Sequence, residues 1–130
     1  MAVQFSLRHI PALIVASTTT FGGMWTFFDA PSAMLEFGFP AHVAHAPTST
    51  PVMINGQART TILGLLTFIF YFQRKFVEVD TIVAVFGAYA GAVDAWLVWK
   101  EGNAGKAVFR LVASWALAAC GIAGLTASSL

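Results

Sequence analysis

The chain reads as an all-α integral-membrane four-helix bundle of antiparallel, up-down spans, with a long Pro-rich loop and a short interfacial helix between spans one and two. Three observations predict this. Of its 130 residues 58% are hydrophobic and only 10% charged, where a soluble domain carries about 25% charged residues. The mean hydropathy is +0.75. The apolar residues collect into stretches at residues 10–28, 60–72, 81–99 and 107–125, and a span needs about 20 apolar residues.

The first, third and fourth stretches reach that length directly. The second reaches it once Gln57, Ala58 and Arg59 are included. A cleaved signal peptide is the competing account of the first stretch, but only Arg8 precedes it as a charge and Phe27-Phe28-Asp29 is a poor processing site. Between the first two spans, residues 29–56 carry Pro31, Pro40, Pro47 and Pro51, which break any continuous helix. Asp29 ahead of Pro31 is a helix start and Gly38 ahead of Pro40 a stop, which predicts a short helix over residues 32–37 at the interface with Ala33, Met34 and Phe37 as its apolar face. The remaining connections are short. Residues 73–80 carry Arg74, Lys75, Glu78 and Asp80, and residues 100–106 carry Lys100, Glu101, Gly102, Asn103, Gly105 and Lys106; short loops make antiparallel neighbours.

Four spans put both termini on one side with Arg74 and Lys75, and the long loop with Lys100 and Lys106 on the other. Arg8, Arg74 and Lys75 then favour cytoplasmic termini by a margin of one residue. No repeat or composition break divides the sequence, so residues 1–130 form one domain, acting alone or as a homo-oligomer. The formal net charge of +1 excludes nucleic acid as an expected partner. The single cysteine, Cys120, builds neither a disulfide framework nor a thiolate metal cluster within one chain.

Ionisable groups within spans are costly and normally face a bundle interior. Here they are Arg59, Asp94 and Arg110. At 1.5 Å per residue Arg59 lies roughly 21 Å from Gln73, and Asp94 roughly 21 Å from Asp80 on the antiparallel neighbour. The two come out level. Trp25, Arg110 and Ser114 fall at a similar depth, beneath the Pro-rich loop, and Asp29 and Glu36 at the loop edge bring further carboxylates near. Gly87, Gly91 and Asp94 share one helical stripe, as do Arg110, Ser114, Ala118 and Gly121. The Gly87/Gly91 spacing permits either close helix approach or a groove for a ligand. Two readings of the layer compete: a buried Asp94–Arg59 pair that fixes helix register, and a functional polar pocket.

Other features weigh less. His42 and His45 with Glu36 have a possible metal-ligand spacing, against a solvated or pocket-rim role. His9 beside Pro11 reads as interfacial. Ser17, Thr18, Thr19 and Thr20 are either helix-packing hydroxyls or a cavity-lining strip. The twelve Phe read as lipid contact or core, and the four Trp cluster towards the Asp94 end.

With these residues laid out, the chain resembles a family of small fungal four-span membrane proteins of unassigned domain function, distantly like the DoxX group. The resemblance rests on Gly22-Gly23, Glu36-Phe37-Gly38-Phe39-Pro40, Asn55-Gly56-Gln57-Ala58-Arg59 with Leu63-Gly64, Gly91-Ala92-Val93-Asp94-Ala95-Trp96, and Glu101-Gly102-Asn103-Ala104-Gly105. It implies a component of a secondary-metabolite pathway in the endoplasmic-reticulum membrane, with a lipophilic intermediate as partner. It supplies no catalytic residues.

The expected activity is therefore a cofactor-free isomerase, cyclase or epoxide-opening enzyme acting within the lipid bilayer on a lipophilic polyketide or terpenoid intermediate. Asp94 would transfer the proton, Arg59 and Arg110 would orient it and stabilise negative charge, and Asp29 or Glu36 would be the second carboxylate. Met24, Trp25, Gly91, Trp96 and Ser114 are the expected substrate contacts. The alternative is a non-catalytic membrane subunit or a lipophile-binding partner of a biosynthetic enzyme. Transport is disfavoured because one layer of charge makes no continuous polar path.

Overall fold

The computed structural model describes residues 3–129. It is all-helical, with no strand among the described residues. Five α-helices follow in order: α1 (Ile10–Phe37), α2 (Ala41–Ala44), α3 (Ser49–Phe72), α4 (Phe76–Lys100) and α5 (Ala104–Ile122), with single 3-10 turns at Leu7–His9 and Ala127–Ser129. Of these, α4 and α5 are long and apolar enough to cross a membrane. The lengths of α1 and α3 are comparable, but the Thr and Gly run of α1 and the Asn55 to Arg59 start of α3 lower their hydropathy.

The Pro-rich region is more helical than its prolines suggest. Asp29 takes φ −155°, ψ 79°, kinking α1. Its carboxylate then caps the next helical segment, accepting from the Ser32 backbone N–H at 3.2 Å and the Ser32 hydroxyl at 2.6 Å. The expected start at Asp29 is observed, and so is the stop at Gly38, whose φ of 123° suits a residue without Cβ. The segment is not a separate surface helix, however. It continues α1, and Ala30 and Met34 pack on Ala44 with Phe39 and Met53. Pro51 sits in the first turn of α3, where the N–H it lacks has no helical partner anyway. The irregular connection thus shrinks to residues 38–48, part of which is α2.

Two antiparallel pairs make up the molecule, α1 along α3 and α4 along α5, and the pairs touch each other less extensively. Glycine sets both close contacts. A Cβ on Gly64 would collide with the Thr20 backbone, and one on Gly87 with the Ser114 carbonyl. The Gly87/Gly91 stripe is therefore a packing seam against α5 first. Small and hydroxylated residues fill the inside, including buried Thr19, Thr20, Thr26 and Thr67, whereas Phe21, Phe28, Phe72, Tyr89, Phe109 and Ile122 face outward.

At the end that holds both termini lies a closed polar cluster. Asp80, expected in a loop, lies inside α4 and is buried. Its carboxylate accepts from the backbone N–H groups of Thr126 (3.1 Å) and Ala127 (2.8 Å), pinning the chain after α5. His9, expected at an interface, is also buried. The Ser129 hydroxyl donates to the Thr126 carbonyl, so it accepts from His9 Nε2–H at 2.6 Å, and His9 Nδ1 in turn accepts from the Tyr71 hydroxyl at 2.8 Å. Burial holds the His9 imidazole below its ordinary pKa, partly countered by the Asp80 charge.

Candidate functional site

A cavity of about 700 Å³ lies between the two helix pairs, reaching the segment beyond the α1 kink. Every long helix contributes. From α1 come Thr18, Thr19, Gly22, Trp25 and Thr26, and beyond its kink Ala33, Glu36 and Phe37; α3 supplies Met53, Gly56, Gln57 and Thr60. On the other side α4 gives Phe86, Gly87, Gly91, Asp94 and Leu97, and α5 gives Arg110, Ser114 and Leu117. The Met53, Gly56, Gln57, Thr60 series is one stripe of α3 at helical spacing.

Two basic residues tie the kinked end of α1 to α5. Lys106 Nζ donates to the Glu36 carbonyl at 2.9 Å and lies 3.4 Å from its carboxylate. Arg110 Nε donates to the Phe37 carbonyl at 2.7 Å, with the guanidinium 3.6 Å from the Phe37 ring centroid. Phe37 is stacked in turn on Phe39 at 5.0 Å. Arg110 is thus held from behind by a carbonyl and an aromatic face. Its terminal nitrogens have no protein acceptor among the described residues. Asp94 is half-buried on the opposite wall. Among the described residues it forms no hydrogen bond, and the single ion pair within 4.0 Å is Lys106–Glu36.

Of the expected site residues, the cavity brings together Asp94, Arg110, Glu36, Trp25, Gly91 and Ser114. Four others lie elsewhere. Arg59 is exposed and folds back to donate to the Asn55 carbonyl at 3.1 Å, so the Asp94–Arg59 pair does not form. Gln57 and Thr60 beside it line the cavity, whereas packing turns Arg59 outward. Asp29 is exposed and occupied by its cap to Ser32, the hydroxyl first and then the N–H, which hold its carboxyl below the usual carboxylate range. Trp96 faces outward, with the Lys100 ammonium 4.7 Å from its ring centroid. Met24 is half-buried and does not line the cavity. His42 and His45 are exposed, and Glu36, the third residue of the metal reading, is engaged by Lys106.

The cavity also holds residues that the sequence did not assign to a site: Thr26, Phe37, Gln57, Thr60 and Phe86. The polar Gln57 and Thr60 at the start of an otherwise apolar helix were the available signal. Thr18 and Thr19 take the cavity-lining alternative, while Thr20 packs against Gly64.

No curated protein and no solved structure matches the chain. A family does, over residues 16–124, from the second turn of α1 to just past the end of α5, so that every lining residue of the cavity except Val15 lies within the match. The chain belongs to the family described as a domain of unknown function, DUF4267.

Proposed function

We propose that the chain is a four-span membrane bundle whose cavity catalyses a cofactor-free isomerisation or cyclisation of a lipophilic substrate. The observation that carries this reading is the convergence of Asp94, Arg110 and Ser114 on one aromatic-walled cavity between helix pairs, with Asp94 free of any partner there among the described residues. Buried polar groups that serve structure are satisfied. A carboxyl left unpaired beside space for a ligand is available for proton transfer.

Support for the membrane comes from the inverted distribution of side chains. Thr and Gly pack inside, and large apolar groups cover the outer faces of α1, α3, α4 and α5, as expected where lipid rather than water is the solvent. Trp96, Trp99 and Lys100 at the end of α4 suit an interfacial anchor. The positive-inside count puts the end with Arg8, Arg74 and Lys75 in the cytoplasm, and the resemblance in sequence implies the endoplasmic reticulum and a polyketide or terpenoid intermediate.

The chemistry follows from the number of available groups. One carboxyl that gives a proton to one substrate atom and takes one from another leaves the composition unchanged, which defines an isomerisation or a cyclisation. Arg110, fixed by Phe37, directs its terminal nitrogens at developing negative charge. Trp25, Phe37 and Phe86 line the cavity and can face a developing cation. Epoxide hydration needs a second carboxylate to activate water, and Glu36 is held by Lys106. That is why rearrangement is preferred.

The test is Asp94→Asn in cells that make the product, with protein level measured alongside the metabolites. Normal protein with an accumulated intermediate supports the reading. Normal protein with normal product overturns it in favour of a non-catalytic lipophile-binding subunit.

A further inference from the structure

The cavity is covered at its kinked end and open along one side. The cover is the segment beyond Asp29: Lys106 and Arg110 hold the Glu36 and Phe37 carbonyls, and Gly38 lies so close to Val98 that a Cβ there would collide. Phe37 and Phe39 stack within this cover.

The open side follows from two adjacent glycines. A Cβ on Gly23 would collide with Thr61 of α3, whereas one on Gly22, about 100° further round the helix, would meet no described atom within 4 Å, although Gly22 lines the cavity. Thr18, Gly22 and Trp25 follow at spacings of four and three residues and form one stripe of α1. All three line the cavity and all three are exposed. Beside this stripe lie Ile14, Phe21 and Phe28, exposed and outside the cavity. The outer apolar face of α1 therefore runs without a break into the cavity wall. The facing rim belongs to α5, which the kinked end already ties to α1. Arg110 and Leu117 line the cavity, Ala113 lies between them on the same stripe, and Phe109 beside them is exposed.

Depth decides what this mouth meets. Gly22 lies roughly 18 Å along α1 from Ile10 and roughly 10 Å short of the kink at Asp29. In a bundle that spans a hydrocarbon core of about 30 Å, the mouth opens among lipid chains and not at the headgroups. Gly56, which also lines the cavity with free space at its Cβ, stands beside Asn55 and near Arg59, both exposed polar residues, and is the side from which water would enter. Resting on the four-span reading above, we infer that the cavity opens sideways into the bilayer between α1 and α5, and that its occupant is a molecule with a hydrocarbon chain, taken from the membrane past Thr18, Gly22 and Trp25. None of the three carries a charge, so a chain crosses the mouth without desolvating one. Inside it meets Val15, Phe86 and Leu117.

The experiment places the full chain in phosphatidylcholine vesicles and reads tryptophan fluorescence with acyl chains brominated or unbrominated, and with iodide in the water. Each quencher acts only on an indole it can reach. In both proteins compared, Trp25, Trp96 and Trp99 are replaced by Phe. One keeps Trp115, exposed on α5, as the reference for a bundle in lipid. The other carries Trp115→Phe and Phe86→Trp, which puts its single indole in the cavity; Leu117→Trp replaces Phe86→Trp if that protein folds poorly. Brominated chains are expected to quench both indoles strongly and iodide neither. Adding Gly22→Leu, or Thr18→Leu if the first plug fails to fold, should cut the quenching of the cavity indole severalfold and leave Trp115 unchanged. A cavity indole quenched by iodide, one untouched by bromine while Trp115 is quenched, or quenching unmoved by the plug would overturn the inference and leave the four-span reading standing. Trp115 escaping the brominated chains would overturn both. The catalytic reading fails separately, by normal product from Asp94→Asn.

Discussion

Two polar clusters sit at opposite ends of the bundle, and they are built in opposite ways. At the terminal end every buried polar group has a partner: Tyr71, His9, Ser129 and Thr126 form a donor-to-acceptor chain, and Asp80 takes two backbone N–H groups. Aromatic rings close the space around it, with Phe76 4.8 Å and Tyr71 5.2 Å from the His9 ring. Under the kink the cluster is open. Among the described residues Arg110 is anchored at one nitrogen and Asp94 forms no hydrogen bond, and a cavity separates the walls. The difference is one of construction. Satisfied polar groups in a closed environment hold the two ends of the described chain together, whereas the open cluster leaves polar groups beside a cavity, the arrangement that the proposed function requires.

Mutations should therefore divide between function and stability according to which end they touch. The largest effect is expected from Asp94→Asn, which should lower product formation by about 100-fold or more, the usual share of a proton-transfer group, with little change in unfolding temperature. A comparable loss of both would make the open cluster a structural one. Asp80→Ala, at the other end, should cost about 3 kcal/mol by leaving two N–H groups without their charged acceptor; thermal unfolding in detergent should show it, and turnover per folded molecule should hold. Gly64→Ala lies between the two clusters. Its Cβ would meet the Thr20 backbone and push α1 from α3, at about 2 kcal/mol if the helices yield as overpacked cores do.

The pH response belongs to the closed end. Burial holds the His9 pKa below the ordinary value of 6.5, so the unfolded chain binds this proton first as pH falls. Stability from this residue should be level above about pH 6.5 and decline as pH drops through it towards the folded pKa. Melting curves of wild type and His9→Gln across that range check the sign, since the slope should disappear in the variant. The smallest effect is expected from Lys106→Met. Its pair with Glu36 is partly exposed, so the stability change should stay under about 1 kcal/mol. A larger change would show that Lys106 clamps the kinked end of α1 to α5.

Much of this was legible in order along the chain. The helical class, the Asp29 start and Gly38 stop, the paired Gly87/Gly91 and Ser114/Ala118 stripes, and the grouping of Asp94 with Arg110, Trp25, Gly91 and Ser114 all follow from periodicity, capping chemistry and depth along a helix. These quantities depend on residues a few positions apart, or on a rise per residue that does not vary with context.

What the tertiary structure alone decided is rotation and long-range satisfaction. Arg59 lies at a suitable depth yet faces out, because the side of α3 turned inward depends on which helix packs against Gly64. Asp80 and His9 read as loop and interface residues until a segment more than forty positions later in sequence docks on them. Composition and periodicity determine that a helix forms and where its small and polar residues lie along it. Which of those residues meet, and whether they meet closed or around a cavity, depends on contacts between helices distant in sequence.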